Sequence, residues 1–191
     1  MKKITLSFLA LFLGVSLSAQ THFGIKGGLN FNSIKDISFS SNNVSWNATG
    51  WHAGLALQTK LPMGFAFQPE LLYSVKNYGS RNYKFDLNYV ELPLNLQWGI
   101  DLLILRPFVM ASPYISYLAG MGGEASKWNK EKKLNNFDYG FGLGFGLDLW
   151  KIQITGKYNW GFGKLGKIHT EDWKVNDSTL QGFQLSLGLL F

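Results

Sequence analysis

Residues 137–150, FDYGFGLGFGLDLW, decide the fold. Phe137, Tyr139, Phe141, Leu143, Phe145, Leu147 and Leu149 fall on one face of an extended chain, while Asp138, Gly140, Gly142, Gly144, Gly146 and Asp148 fall on the other. A period of two is the mark of a strand with two chemically different faces. A helix would scramble that order, and four glycines in its interior would weaken it further.

The C-terminal stretch repeats the design. Phe183, Leu185, Leu187, Leu189 and Phe191 oppose Gln184, Ser186, Gly188 and Leu190, and only Leu190 departs from the pattern. Two-faced segments also occur at about 22–31, 50–61, 64–76, 84–98, 105–118 and 151–163, which gives roughly eight strands. In the segment 105–118 both faces carry apolar residues, so its register is open. Long polar connections at about 32–48, 77–83, 119–135 and 164–179 alternate with short ones near 62–63, 99–103 and 149–151. Short turns at one end and long loops at the other are expected of an outer-membrane barrel, and a closed sheet leaves no unpaired edge in hydrocarbon.

A soluble lipocalin-like barrel also alternates, with its apolar face inside. Side-chain size argues against it here, because seven large apolar residues from one strand would overfill an eight-stranded interior, whereas glycine and aspartate suit a narrow polar lumen. Rings gather near the strand ends, with Phe23, Phe65, Trp98, Trp150 and Phe191 toward one rim and Phe31, Trp51, Tyr73, Phe85, Tyr139 and Trp160 toward the other. Such girdles suit the two membrane interfaces.

The chain has 191 residues with no abrupt change of composition, consistent with one domain. Aromatic residues make up 16% and charged residues 16%, too many rings for a disordered chain and too few charges for an ordinary soluble surface. Lys2 and Lys3, the apolar run 4–15 and the small residues 16–19 read as an export signal cleaved after Ala19, leaving 20–191 as the barrel domain. The apolar run is shorter than the roughly 18–20 residues of a spanning helix. The chain has no Cys, so it carries neither a disulfide nor a lipidated cysteine. The net charge of +6 is spread without a basic run, which argues against nucleic-acid binding.

Several segments resemble the outer-membrane β-barrel domain family of Gram-negative bacteria, often labelled "porin family", and within it the PorT-like small barrels linked to protein secretion. The most specific piece is Leu87-Asn88-Tyr89-Val90-Glu91-Leu92-Pro93-Leu94, similar to that family's leucine, x, tyrosine, apolar, glutamate, apolar, proline, apolar signature. The aspartate and glycines of 138–146, the segment 158–161 and a closing phenylalanine are similar too. The resemblance implies a closed up-and-down antiparallel transmembrane β-barrel in the cell outer membrane. It also implies an assembly signal at Gln184, Leu189 and Phe191, read by the barrel-insertion machinery, with Ser186 where glycine is usual.

If the glycine faces point inward, the lumen collects Lys26, His52, Gln68, Glu70, Glu91, Gln97, Asp138 and Lys157. Glu70 and Glu91, on neighbouring strands, are expected to pair with Lys26 or Lys157 and to close the lumen. The alternative is a polar conduit for ions or small solutes. Long loops offer a surface for an unknown ligand or partner, with Lys127, Trp128, Lys130 and Trp173 as the candidate contacts.

Chemistry of other kinds finds little support. His22, His52 and His169 have no HExxH or other close metal spacing. The glycines of 161–166 match a dinucleotide pattern in letters but lack the following helix. No GxSxG is present, and a lipid-modifying barrel enzyme gains no nucleophile from the sequence. The expectation is therefore an outer-membrane barrel with a structural or surface-interaction role, no enzyme activity, no cofactor and no metal. Its partners are membrane lipid, the insertion machinery and a surface ligand.

Overall fold

A computed structural model describes residues 21–34, 37–38, 46–80, 83–123, 136–163, 168–170, 173–175 and 180–191. The expected signal segment 1–19 and loop residues Lys127, Trp128 and Lys130 lie outside that set. Eleven strands follow in chain order: β1 (Thr21–Ile34), β2 (Ile37–Ser38), β3 (Trp46–Lys60), β4 (Phe65–Ser80), β5 (Tyr83–Gly99), β6 (Leu105–Gly123), β7 (Phe137–Leu149), β8 (Ile152–Gly161), β9 (Ile168–Thr170), β10 (Trp173–Val175) and β11 (Leu180–Leu190). Eight of them close an antiparallel barrel in the order β1-β11-β8-β7-β6-β5-β4-β3. Every barrel strand pairs with its sequence neighbour in the barrel, and β1 pairs with β11 from Gly24↔Leu190 to Ile34↔Leu180.

The alternation read from the sequence holds on both the 137–150 and the C-terminal segments. Phe137, Tyr139, Leu143 and Phe145 stand exposed on the outer wall, and Asp138, Gly140, Gly142 and Asp148 are buried inside. Leu185, Leu187, Leu189 and Phe191 face out, and the one exception, Leu190, is buried against Gly24, whose missing Cβ leaves it room. A wall of leucine, isoleucine and rings around a polar interior is the inverse of a soluble barrel and fits a lipid surround.

The ambiguous strand β6 takes its register with Arg106, Phe108, Met110, Ser112, Tyr114, Ser116 and Leu118 inward. Its large inward groups lie over the glycine face of β7. A Cβ built on Gly140 would meet Tyr114, on Gly144 Met110, and on Gly146 Phe108. The glycine face therefore receives three bulky side chains of β6 and at the same positions lies close against the Trp160, Gly156 and Ile154 carbonyls of β8, and the interior is less uniformly polar than the sequence of β7 alone implies.

Two expectations about connections are corrected. The stretch 77–83 is mostly ladder, since β4 and β5 stay paired out to Ser80↔Tyr83, and β6 likewise continues to Gly123. Strand pairing depends on backbone hydrogen bonds, so it continues past the apolar belt where side chains turn polar. The stretches 32–48 and 164–179 also contribute strands, which form a separate three-stranded sheet in the order β2-β10-β9.

The short turns 61–64, 100–104 and 150–151 lie at the end where β1 begins and β11 ends, and there the Phe191 N–H donates to the Phe23 carbonyl. Each turn carries a non-glycine residue at positive φ: Met63 at 62°, Leu103 at 31° and Trp150 at 54°. Such a conformation costs of order 1–3 kcal/mol for a side-chain-bearing residue. In the first turn Gly64 follows at φ 79°, close against the Gly99 carbonyl, so both central residues are left-handed as in a type I′ hairpin turn.

The packing of β6 on β7 predicts a partly compensating pair. Gly146→Ala should destabilise the folded barrel by about 1–3 kcal/mol, the usual cost of overpacking, and Phe108→Leu in the same chain should recover only part of it, because the added Cβ also meets the Ile154 carbonyl of β8 at 2.8 Å. Urea unfolding of the refolded barrel in phospholipid vesicles measures both.

Candidate functional site: the polar interior

The inward faces bring together four buried cations, Lys26, Lys76, Arg106 and Lys157, and four buried anions, Glu70, Glu91, Asp138 and Asp148. Charges withdrawn from water are tolerated only when paired and hydrogen-bonded. Two tiers of contacts meet that requirement for six of the eight, while Lys157 and Asp138 are hydrogen-bonded without an ion pair.

The tier nearer the chain termini is built on amides. Arg106, from the start of β6, places Nη1 3.1 Å from Asp148 Oδ2 and donates through it to Gln97 Oε1 at 3.1 Å. Its Nη2 donates to the Gly64 carbonyl of the β3–β4 turn at 2.9 Å, and its Nε lies 3.6 Å from Asp101 in the β5–β6 turn. Asp148 also accepts from Gln58 at 3.2 Å and from Gln153 at 2.8 Å. Gln153 and Gln68 exchange hydrogen bonds across the lumen from β8 to β4, at 2.8 and 3.0 Å. Gln68 then donates to Glu70 Oε1 at 2.7 Å, and the same oxygen accepts from Lys26 Nζ at 2.7 Å. The connected path runs from the Asp101 turn to Lys26 on β1.

The second tier lies farther toward the long loops. Lys76 Nζ sits 2.8 Å from Glu91 Oε1 and 4.7 Å from the centre of the Tyr89 ring. Gln184 reaches Glu91 Oε2 at 3.4 Å. His52 joins Asn30 through Nδ1 and Ser186 through Nε2, each at 2.8 Å, and Asn30 donates onward to Ser74.

The residues singled out from sequence fall as follows. Lys26 and Glu70 form the expected pair. Glu91 does not pair with Lys26 or Lys157 and takes Lys76 instead. Lys76 was outside the expected set because the apolar reading of β4 ends at 76, while the strand continues to Ser80. Lys157 donates to Ser112 Oγ at 3.2 Å and lies in the field of both Glu70 and Glu91, with neither within 4.0 Å. Asp138 is held by the Gly163 N–H at 3.0 Å, near the loop end of β7, and no lysine or arginine among the described residues pairs with it.

Arg106 and Asp148 were also absent from the expected pairing. The register of β6 could not be read, and Arg106 was therefore not assignable to the lumen. Gln184 is buried in the lumen, while Leu189 and Phe191 stand on the outer face. Of Trp173 only the backbone, in β10, is described. Among the described residues no group of three or more His, Cys, Asp or Glu is arranged to hold a metal ion.

The family model described as "Outer membrane protein beta-barrel domain" matches residues 18–166. No curated protein matches the chain. Among solved structures, the outer membrane enzyme PagL is similar at 8% identity and a TM-score of 0.50, covering 89% of this chain and 99% of its own. Neisserial surface protein A (NspA) gives 13% identity and a TM-score of 0.49, with 88% and 97% covered. Ail, the attachment invasion locus protein of Yersinia pestis, gives 11% and 0.49, with 90% and 99% covered. At 8% identity the likeness to PagL is one of fold alone.

Removing one partner of the Lys26–Glu70 pair leaves a buried charge uncompensated. Lys26→Met should therefore cost about 3–5 kcal/mol, and the double variant Lys26→Met/Glu70→Met should cost clearly less than that single change. A double-mutant cycle by urea titration in vesicles checks the sign.

Proposed function

We propose that this chain, which belongs to the outer membrane protein β-barrel domain family and resides in the outer membrane, is a non-enzymatic barrel with a structural and surface-interaction role. On this reading its lumen is closed. The observation that carries it is the cross-lumen amide and carboxylate path, above all the mutual Gln68–Gln153 pair and the Arg106–Asp148 contact. An eight-stranded barrel encloses little more than its own side chains. These side chains are long, mutually bonded and charge-balanced, so a passing ion would have to separate pairs and leave buried charges uncompensated.

Interaction then falls to the loop end. Supporting this is the β2-β10-β9 sheet, in which Lys174↔Ser38 and Val175↔Ile37 tie the first long connection to the last. Two loops joined in one sheet form a better defined platform than two independent ones. Lys127, Trp128, Lys130 and Trp173 are the proposed contacts, with a glycan or a protein surface as the partner. At the other end, Leu189 and Phe191 face outward, consistent with their proposed reading by the insertion machinery.

Planar-bilayer recording tests the closed lumen. The refolded chain, shown to be a closed barrel by heat-modifiable gel migration, is expected to give no discrete channels. Reproducible channels whose conductance changes on Glu70→Gln or Glu91→Gln would replace this reading with a narrow conduit. For the surface role, binding to an anionic glycan panel should fall at least several-fold in the combined variant Lys127→Gln/Trp128→Ala/Lys130→Gln, with heat-modifiable migration unchanged.

A further inference from the structure

We infer that the three short turns at the terminal end of the barrel are membrane anchors, whose apolar tips insert into the lipid of the periplasmic leaflet. The inference concerns the end opposite the proposed interaction surface and does not rest on it.

Three observations coincide. The only non-glycine residues at positive φ among the described residues are Met63, Leu103 and Trp150, one in each of these turns. These positions favour glycine, asparagine or aspartate, the residues that hairpin turns ordinarily use. Instead each holds a large apolar side chain, and each side chain is almost wholly exposed: 86% for Met63, 110% for Leu103 and 85% for Trp150, with Ile104 beside Leu103 at 76%. A strained backbone that presents an unburied apolar group gains nothing from water. The same group gains on entering hydrocarbon.

The occupant is lipid because the tips continue the lipid-facing wall. The outward row of β5 runs through Leu92, Leu94, Leu96 and Trp98, and the turn that follows adds the exposed Ile100 and Leu102. The Trp150 indole carries the Lys151 ammonium 5.2 Å from its ring centre, a pairing suited to the headgroup layer. Lys60 stands at the same end, where Lys60 and Lys151 outnumber the one exposed acid among the described side chains, Asp101, a balance suited to anionic headgroups. Arg106 further ties the tips together, since it bonds the Gly64 carbonyl of one turn and reaches Asp101 of the next.

The absence of cysteine makes the test direct. Met63→Cys, Leu103→Cys and Trp150→Cys are each labelled with a nitroxide in the full mature chain, refolded into vesicles of phosphatidylcholine and phosphatidylglycerol. Paramagnetic relaxation by oxygen and by a water-soluble nickel complex is compared with a free nitroxide in solution and with Leu96→Cys in the lipid belt. The oxygen-to-nickel ratio at the tips should exceed the solution value several-fold and approach that of Leu96→Cys. A ratio equal to the solution value at all three tips overturns the inference and leaves a periplasmic protein as their occupant.

A second readout has opposite signs under the two cases. Asn relieves the left-handed backbone, so Met63→Asn, Leu103→Asn and Trp150→Asn should raise the urea midpoint if the tips are in water. Insertion predicts that the midpoint falls, and a rise in all three overturns the proposal.

Discussion

A backbone N–H or C=O without a partner in hydrocarbon costs several kcal/mol, and the architecture of this chain follows from avoiding that cost. An open sheet of these strands would expose two edges to lipid. Closing β1 on β11 satisfies both, and it fixes the alternation of every strand relative to a single inside and a single outside. Once the inside is defined, side-chain volume becomes the limiting quantity. Eight strands enclose a space that their own inward residues must fill without strain.

The interior meets that limit by pairing sizes across neighbouring strands. Strand β7 contributes glycines where β6 contributes Phe108, Met110 and Tyr114, and Gly24 on β1 gives way to Leu190 on β11. The outer wall uses the same device in reverse, where Gly156 lies beneath the rings of Phe145 and Phe183. Glycine in a strand interior ordinarily weakens it through lost packing, but here the neighbouring ring restores the contact. The run of glycines that first signals a strand is thus also a record of what lies opposite it.

Much of the fold was legible because period-two alternation survives in any strand with two unlike surroundings. It was clearest in β7 and β11, and least clear in β6, whose inward face is itself largely apolar. Composition could not separate the faces of β6, because the inward Phe108 and Tyr114 differ from the outward Val109 and Ile115 only in where their neighbours leave space. The charged site was legible in its membership more than in its pairing. Inward alternation identified Lys26, Glu70 and Glu91, but the partner of a long lysine depends on strand stagger around the barrel, which single-strand periodicity does not carry. Lys76 was missed for a related reason, since its strand outlasts the apolar belt that marked it. The β2-β10-β9 sheet had no signal of its own, being assembled from two- and three-residue strands held by pairing between distant loops.

The two tiers of the interior differ in a way that bears on how such a core tolerates burial. The tier near the termini relies on Gln58, Gln68, Gln97 and Gln153, each of which can both donate and accept, so the bonds extend across the lumen without adding charge. Arg106 and Asp148 anchor that tier at its outer end, where the turns supply further acceptors. The second tier concentrates its charge in the Lys76–Glu91 pair and in Lys157, whose hydrogen bond goes to Ser112 Oγ and not to a carboxylate. Buried polar atoms without a hydrogen-bond partner occur in both tiers, Glu70 Oε2 and Asn95 Oδ1 beside the amides and Ser116 Oγ and Asp138 Oδ2 nearer the long loops. A half-satisfied network is more costly than a fully satisfied one. What sets the amide tier apart is therefore its reach, since the mutual Gln68–Gln153 bonds join β4 to β8 across the lumen.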